Sequence, residues 1–494
     1  MTSVTAISLS DASLRDLPEA IDRPRYDRAR LTPGIVHIGV GNFHRAHQAW
    51  YLHRLLQQGA AQDWAIVGAG VRPADAAMRE KLQKQDYLTT LIELDPASTG
   101  VEVTGAMVDF LPVEPGHAAL IRYMARPEIR IVSLTVTEGG YYLDAHGGFD
   151  SAHPDIVADR HAPESPTTAF GAIVAALRLR RDAGLAPFTL LSCDNLQGNG
   201  HVLRQSVLGV AGLLDPALAD WIKTHVSFPN SMVDCIVPAT GAAELVAAQE
   251  TGVADLAPVT HESFRQWVIE DHFCNGRPDW DKVGATFSDQ VHAFETMKLR
   301  VLNGGHQLLA NAGELLSIDT ISACMENRLI SDFFCKVQTA EILPHVAPVP
   351  GSTAADYLDL ITHRFRNPRI VDQTRRVAFD GTSRHPGFLH PSIRDALAQG
   401  RSVQGLALAE ALWARMCFGT REDGSAIDAN DPHWRDLTAI AARARHEPAK
   451  WLQNATLYGD LGEAPPFVAA FEHWLSMIWE DGTIRALQTY IEPG

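Results

Sequence analysis

This chain has no paired cysteines, no long apolar run and no surplus of positive charge, and each absence removes a class of function. Its six cysteines (Cys193, Cys235, Cys274, Cys324, Cys335 and Cys417) are scattered, with no Cys-x-x-Cys pair and no Cys/His cluster at zinc spacing. A zinc site and a redox dithiol are therefore not expected, and free thiols in a reducing cytoplasm are the simplest reading. No apolar stretch approaches the roughly 20 residues of a membrane-spanning helix, and residues 1–16 lack the basic start and apolar core of a secretory signal. A net charge of −17 makes nucleic acid and anionic membrane surfaces poor partners. Three catalytic signatures are also missing. None of the nine tyrosines is followed four residues later by a lysine, and neither a Gly-x-Ser-x-Gly elbow nor a Walker loop occurs.

What is present fits an ordinary globular protein of two or three domains: 494 residues, 46% hydrophobic and 20% charged. In the first half, β-branched apolar runs at 35–40, 65–69, 102–111, 130–136 and 188–193 alternate with helical stretches at 46–58, 74–85, 118–125 and 168–184. That alternation predicts an α/β domain with a parallel sheet covered on both faces. Beyond about residue 283 the pattern becomes long and amphipathic, at 295–316, 354–365, 393–399, 406–417, 434–442 and 467–484. The expected division is 1–285, α/β, and 286–494, mainly α-helical.

The turn Gly39-Val-Gly41-Asn-Phe43-His44-Arg45-Ala46 follows the first predicted strand and opens a helix. Two glycines suit a tight turn and a bare backbone facing a pyrophosphate, although His44 or Arg45 occupies the place of a third glycine. Plain turn glycines are the competing reading. The acidic residue expected beyond the second strand, on the adenosine ribose, is Asp75 rather than Asp63. It would repel a 2′-phosphate, whereas Arg72 nearby would attract one. NAD is favoured, and NADP is the lesser alternative.

The segment Glu295-Thr-Met-Lys298-Leu-Arg-Val-Leu-Asn303-Gly-Gly-His306 places four polar groups on a helix that is otherwise apolar. With α-helical geometry, Asn303 lies about 140°, His306 about 80° and Glu295 about 60° around the axis from Lys298, while Arg300 lies about 160° away. A partly desolvated lysine takes a proton from an alcohol near neutral pH, and an amide and an imidazole beside it can hold the alkoxide. A hydrogen-bonded surface or domain contact is the plainer alternative. Gly304 and Gly305 each cost about 1 kcal/mol in a helix, so something packs against them: a ligand or a crossing helix. With the competing chemistries removed, a metal-independent hydride transfer with a lysine base is what remains.

Other polar residues close the strands. Asn195, in Ser192-Cys193-Asp194-Asn195, is a candidate oxyanion donor or a turn cap. Glu138, after Thr137, is a candidate proton-path residue. Asp234 reads as a hydrogen-bonding carboxylate, and Arg376 and Arg384 flank Asp380-Gly381-Thr382-Ser383 as surface cations or hydroxyl- and carboxylate-binding groups.

Together, Ile38 to Gln48, Ser133 to Tyr141, Ser192 to Asn195, Trp267 to Asp271 with Asn275-Gly-Arg277-Pro278, Lys298-x4-Asn303-x2-His306 and Asp380 to Ser383 resemble the polyol-specific long-chain dehydrogenases and reductases, the mannitol-dehydrogenase and fructuronate-reductase group. The resemblance spans nearly the whole chain. It implies an N-terminal Rossmann-type doubly wound sheet, a helical C-terminal domain, and NAD-dependent oxidation of a secondary hydroxyl of a linear polyol, D-mannitol to D-fructose, in a monomer. Lys298 would be the base, Asn195 and Asn303 the oxyanion site, His306 the residue orienting the substrate oxygen and Glu295 part of a proton path. Asp234, Arg376 and Arg384 would hold the remaining hydroxyls. Reduction of a keto-uronate such as fructuronate, and oxidation of D-arabinitol or D-sorbitol, are the alternatives; a nucleotide-binding regulator without turnover would have no use for the lysine set. Four positions depart from the pattern: Ala74 replaces an acidic neighbour of Asp75, Cys235 an arginine, Arg384 a lysine and Gly305 a serine.

Overall fold

The computed structural model describes residues 6–144 and 147–492. The chain divides into two compact units, Met1–His292 and Ala293–Gly494.

The first unit is built on five strands: β1 (Pro33–Ile38), β2 (Ala65–Ala69), β3 (Met107–Phe110), β4 (Ile131–Leu134) and β5 (Thr189–Ser192). They pair in the order β3-β2-β1-β4-β5, every pair parallel, with Val36 opposite both Val67 and Val132, and Val132 opposite Leu190. Strands buried on both faces need continuous apolar runs, which is why Ile35-Val36, Ile131-Val132 and Leu190-Leu191 are written without polar alternation. The pleat divides each pair between two cores. Val36, Val132 and Leu190 join the cluster containing Ile173, Leu177 and Val207; Ile35, Ile131 and Leu191 join the one containing Leu52, Trp267 and Trp280. This is a Rossmann-type sheet, as expected.

Two local differences have clear causes. The run at 102–111, expected as one strand, is split into Thr99–Thr104 and β3, and only β3 enters the main sheet. The break falls at Gly105, where a Cβ would lie 2.9 Å from both Pro24 and Arg28. Thr99–Thr104 instead pairs antiparallel with Thr89–Leu94, a strand the sequence pattern had not indicated. The helix expected at 46–58 is two, Asn42–Ala46 and Gln48–Gln57, broken at His47.

The second unit is helical. Its centre is Gln404–Met416, buried at every position from Gly405 onward, as a helix surrounded by others requires. The run expected at 467–484 divides into Pro465–Asp481 and Thr483–Ile491 because Gly482 takes φ 87°, outside any helix. Most consequential is the segment carrying the polar set. It runs as α-helix over Val291–Met297, as π-helix over Lys298–Asn303, and as α-helix again over Gly304–Leu315.

Candidate active site

The nucleotide loop begins where β1 ends. Gly39 has φ 97°, and a Cβ there would stand 2.2 Å from Thr135 O, so the position demands glycine for both backbone conformation and packing. Gly41 differs: it is exposed, and a Cβ would meet nothing closer than Gly39 O at 4.0 Å. Among the described residues nothing crowds Gly41, leaving a bare backbone at the entry to Asn42–Ala46, the feature a pyrophosphate-binding turn requires. Beneath the loop, His37 Nδ1 meets Ser133 Oγ at 2.8 Å and Nε2 meets Thr135 Oγ1 at 2.9 Å. Burial lowers the His37 pKa to about 3 and holds that of His44 well below the usual histidine range. The two rings stack 3.4 Å apart. A flat imidazole therefore packs helix against strand where a third glycine usually does.

Arg45 is fully buried. It donates from Nη2 to Asn42 Oδ1 at 2.7 Å, from Nε to Gly41 O at 3.3 Å and from Nη1 to Ala257 O. Its guanidinium is turned inward and ties the loop, through Gly41 O and Asn42 Oδ1, to the distant Ala257 carbonyl, so it shapes the loop. Phe43 is half-buried and stacks on His47 at 4.9 Å. Asp75 opens the helix Asp75–Gln83 beyond β2; Oδ2 accepts from Val71 N at 3.1 Å and Arg72 N at 3.0 Å, and Oδ1 pairs with Arg72 Nη2 at 3.2 Å. Asp63 lies before β2 and pairs with Arg130.

At the ends of β4 and β5, Asp194 accepts from Val136 N at 3.1 Å, Thr137 N at 2.9 Å and the Tyr141 hydroxyl at 2.7 Å. Asn199 Nδ2 donates to Asp194 O at 3.1 Å and Ser231 O at 2.8 Å. These bonds fix the turn from which Asn195 projects, exposed, just past β5. Asp234 is buried and is the last residue of Ser231–Asp234, paired with Gln266. The Glu138 side chain lies outside the described residues.

In the helical unit, Glu295, Lys298 and His306 are buried and Asn303 is half-buried. The π turn corrects the angle expected for Asn303. Gly304 N–H reaches back five residues to Leu299 O, and in such a turn residues five apart lie nearly one above the other. Asn303 thus shares the face of Lys298 instead of lying about 140° away. The Gln338 amide donates to Val301 O at 2.8 Å, inserting into the helical ladder where the π turn forms. The glycines serve the packing of other elements: a Cβ at Gly304 would meet Leu389 at 3.3 Å, and one at Gly305 would meet Gln338 Nε2 at 2.7 Å and Phe334 at 2.8 Å.

His306 stacks on Phe365 with ring centroids 4.3 Å apart, and its Nε2 lies 3.7 Å from Asp372 Oδ2. Burial, partly offset by Asp372, lowers its pKa to about 4, so the ring is neutral at ordinary pH. Asp372 did not emerge from the sequence. Its only signal there is the i,i+4 spacing to Arg376, whose Nε donates to Asp372 Oδ1 at 2.8 Å. Arg384 is half-buried and donates to Val377 O, which also accepts from Gln307 Nε2 at 3.1 Å. Arg300 donates to His345 O at 2.8 Å and Asp395 Oδ2 at 2.6 Å, well occupied elsewhere. Among the described residues no group of three His, Cys, Asp or Glu side chains has metal-binding geometry, and no helix is long and apolar enough to cross a membrane.

A parallel sheet with a bare Gly-x-Gly turn, accompanied by a helical unit that carries a buried lysine, an amide, an imidazole and a carboxylate along one helical segment, is the arrangement of a dinucleotide-dependent dehydrogenase. The comparisons narrow this further. Residues 33–282 match the mannitol dehydrogenase Rossmann domain and residues 290–479 the mannitol dehydrogenase C-terminal domain, and the chain belongs to this family. It is 56% identical to the mannitol 2-dehydrogenase of Cereibacter sphaeroides, over 96% of this chain and all of that one. The mannitol 2-dehydrogenase of Phaeosphaeria nodorum is 38% identical over 98% of this chain and 86% of its own length. Among solved structures, the Pseudomonas fluorescens mannitol 2-dehydrogenase ternary complex with NAD and D-mannitol superimposes with a TM-score of 0.90 at 40% identity, covering 99% of this chain and all of that one. A D-sorbitol dehydrogenase in substrate-free form gives 0.87 at 34% identity, covering 97% and 99%.

Proposed function

We propose that this protein is an NAD-dependent mannitol 2-dehydrogenase, oxidising the C2 hydroxyl of D-mannitol to give D-fructose. The observation that carries the reading is 56% identity to a mannitol 2-dehydrogenase across nearly the full length of both chains. The enzyme is an oxidoreductase acting on CH–OH groups. Bound NAD supplies the hydride acceptor at C4 of its nicotinamide.

On this reading Gly39 and Gly41 bring bare backbone to the pyrophosphate, with Phe43 beside it and Arg45 holding the loop in shape. The Asp75 carboxylate accepts the adenosine ribose hydroxyls and repels a 2′-phosphate. Lys298 acts as the general base: a buried ammonium loses its hydration, which favours the neutral amine able to take the C2 hydroxyl proton. Asn303, carried onto the lysine's face by the π turn, donates with Asn195 to the oxygen as negative charge develops. The neutral His306 orients the same oxygen, and Glu295 passes the proton from Lys298 toward solvent. Asp234, Arg376 and Arg384 hold the remaining hydroxyls. A monomer working in the cytoplasm completes the reading, and its cysteines, all free among the described residues, suit a reducing compartment.

An initial-rate screen of mannitol, arabinitol, sorbitol, fructose and fructuronate with both nicotinamide cofactors tests it. Mannitol with NAD and fructose with NADH should give the highest kcat/KM. Faster reduction of fructuronate than of fructose would replace this reading with keto-uronate reduction.

A further inference from the structure

Several side-chain polar atoms of the helical unit are buried without a hydrogen-bond partner among the described residues, and three of them, Asn303 Oδ1, His306 Nε2 and Asp372 Oδ2, lie on the candidate site residues or beside His306. Buried polar atoms are nearly always paired, so unmatched atoms on the helix that carries Lys298 and beside its His306 indicate where hydroxyl groups of another molecule are expected. Two belong to residues already given a role. Asp372 does not, and its setting is specific.

The backbone of Asp372 is fixed by Ile321 N–H donating to its carbonyl at 2.9 Å and by its own N–H donating to Ile370 O at 2.9 Å. The side chain is 5% exposed and its two oxygens face different groups. Oδ1 accepts from Arg376 Nε at 2.8 Å, while Oδ2 lies 3.7 Å from His306 Nε2. Arg376 is 58% exposed, so the pair couples a buried anion to a solvent-facing cation. The surroundings are rich in positive charge. Arg376, Arg364 and Arg384 all act electrostatically on His306, and Asp372 opposes them. A site with several guanidiniums and no opposing charge would select carboxylates, which pair with arginine better than hydroxyls do.

We infer that Asp372 determines specificity: by offsetting Arg376 and facing His306, it adapts a guanidinium-rich site to an uncharged polyol and against a sugar acid. This rests on the reading of His306 and Arg376 as substrate-binding residues. Asp372 is not placed in contact with the reacting atoms; it acts through those two neighbours.

The test compares D-gluconate, a six-carbon polyol chain ending in a carboxylate, with mannitol. Its Ki against mannitol oxidation and the KM for mannitol are measured in the wild type, in Asp372→Asn and in Arg376→Gln. The ratio of Ki to KM should fall at least about tenfold in Asp372→Asn, where the guanidinium is no longer offset, and should rise in Arg376→Gln. A purely structural role would raise both constants together; ratios within about twofold of wild type would overturn the inference. If Asp372→Asn fails to fold, Arg376→Gln decides alone, because its side chain is exposed and its predicted shift has the opposite sign. A wild-type enzyme that does not oxidise mannitol would instead refute the polyol reading itself.

Discussion

Replacing Gly305 by alanine sets two effects of opposite sign against each other. Helix propensity favours alanine by about 1 kcal/mol. Packing opposes it, because the new Cβ would stand 2.7 Å from Gln338 Nε2 and 2.8 Å from Phe334 Cε2. Both neighbours are fully buried, and the Gln338 amide is already held by Val301 O. Overpacking of this kind costs about 1–3 kcal/mol, and losing the amide bond adds about 1 kcal/mol. The net expectation is a loss of roughly 1–3 kcal/mol. For a unit of about 200 residues, that lowers Tm by about 2–4 °C per kcal/mol. Turnover should fall too, because Gln338 bonds to the turn that carries Lys298 and Asn303, while NAD binding to the other unit should not change. Scanning calorimetry with initial rates measures both. An alanine variant as stable and as active as the wild type would show that the space beside Gly305 is not closed and that Gln338 does not hold the π turn.

Two further predictions concern other parts of the molecule. Glu102 joins the strand Thr99–Thr104 to the helix Gln48–Gln57, accepting from Trp50 Nε1 at 2.8 Å and Arg54 Nη1 at 3.0 Å, with His53 Nε2 3.3 Å away. Burial alone would raise its pKa, but His53, Arg54 and Trp50 outweigh that and lower it from 4.5 to about 2. A depressed carboxylate stabilises the fold above its unfolded pKa, and that contribution is lost as pH falls from about 4.5 toward 2. Urea unfolding should therefore find Glu102→Gln less stable by about 3 kcal/mol at neutral pH, with a difference below about 1 kcal/mol near pH 2.5; a pH-independent difference would contradict this. Asp75→Ser should improve kcat/KM for NADP relative to NAD by about tenfold or more, since it removes the charge facing a 2′-phosphate. An unchanged preference would place cofactor selection elsewhere.

Much of this architecture is written locally. Ile35-Val36 and Leu190-Leu191 announce strands buried on both faces, and the helices 354–365 and 434–442 lie within a few residues of their predicted limits. What was not legible depends on distant partners. An α-helical wheel misplaces Asn303 because the π turn forms with Gln338, which arrives from another helix. Arg45 stands in sequence at the place of a third glycine in the nucleotide turn, yet Ala257, over two hundred residues away, claims one of its nitrogens. Asp372 is ordinary in sequence and becomes notable only when His306 and Arg376 are brought to its two oxygens. Gly305 shows the converse. Two helix-interior glycines signalled a close neighbour, and only the structure distinguishes a crossing side chain from a ligand.

On the proposed function, the Lys298 amine accepts the substrate proton. Single-turnover measurement of NADH formation from mannitol, in wild type and Lys298→Ala across pH, with NAD binding measured in parallel, tests it most directly. Burial lowers the His306 pKa to about 4, so the ring is neutral near pH 7, and a loss of rate just below neutrality is expected from protonation of the lysine. Lys298→Ala should bind NAD normally, form NADH at least about 1,000-fold more slowly, and have no acid limb. A variant that keeps a rate near that of the wild type, or keeps its pH profile, would contradict it.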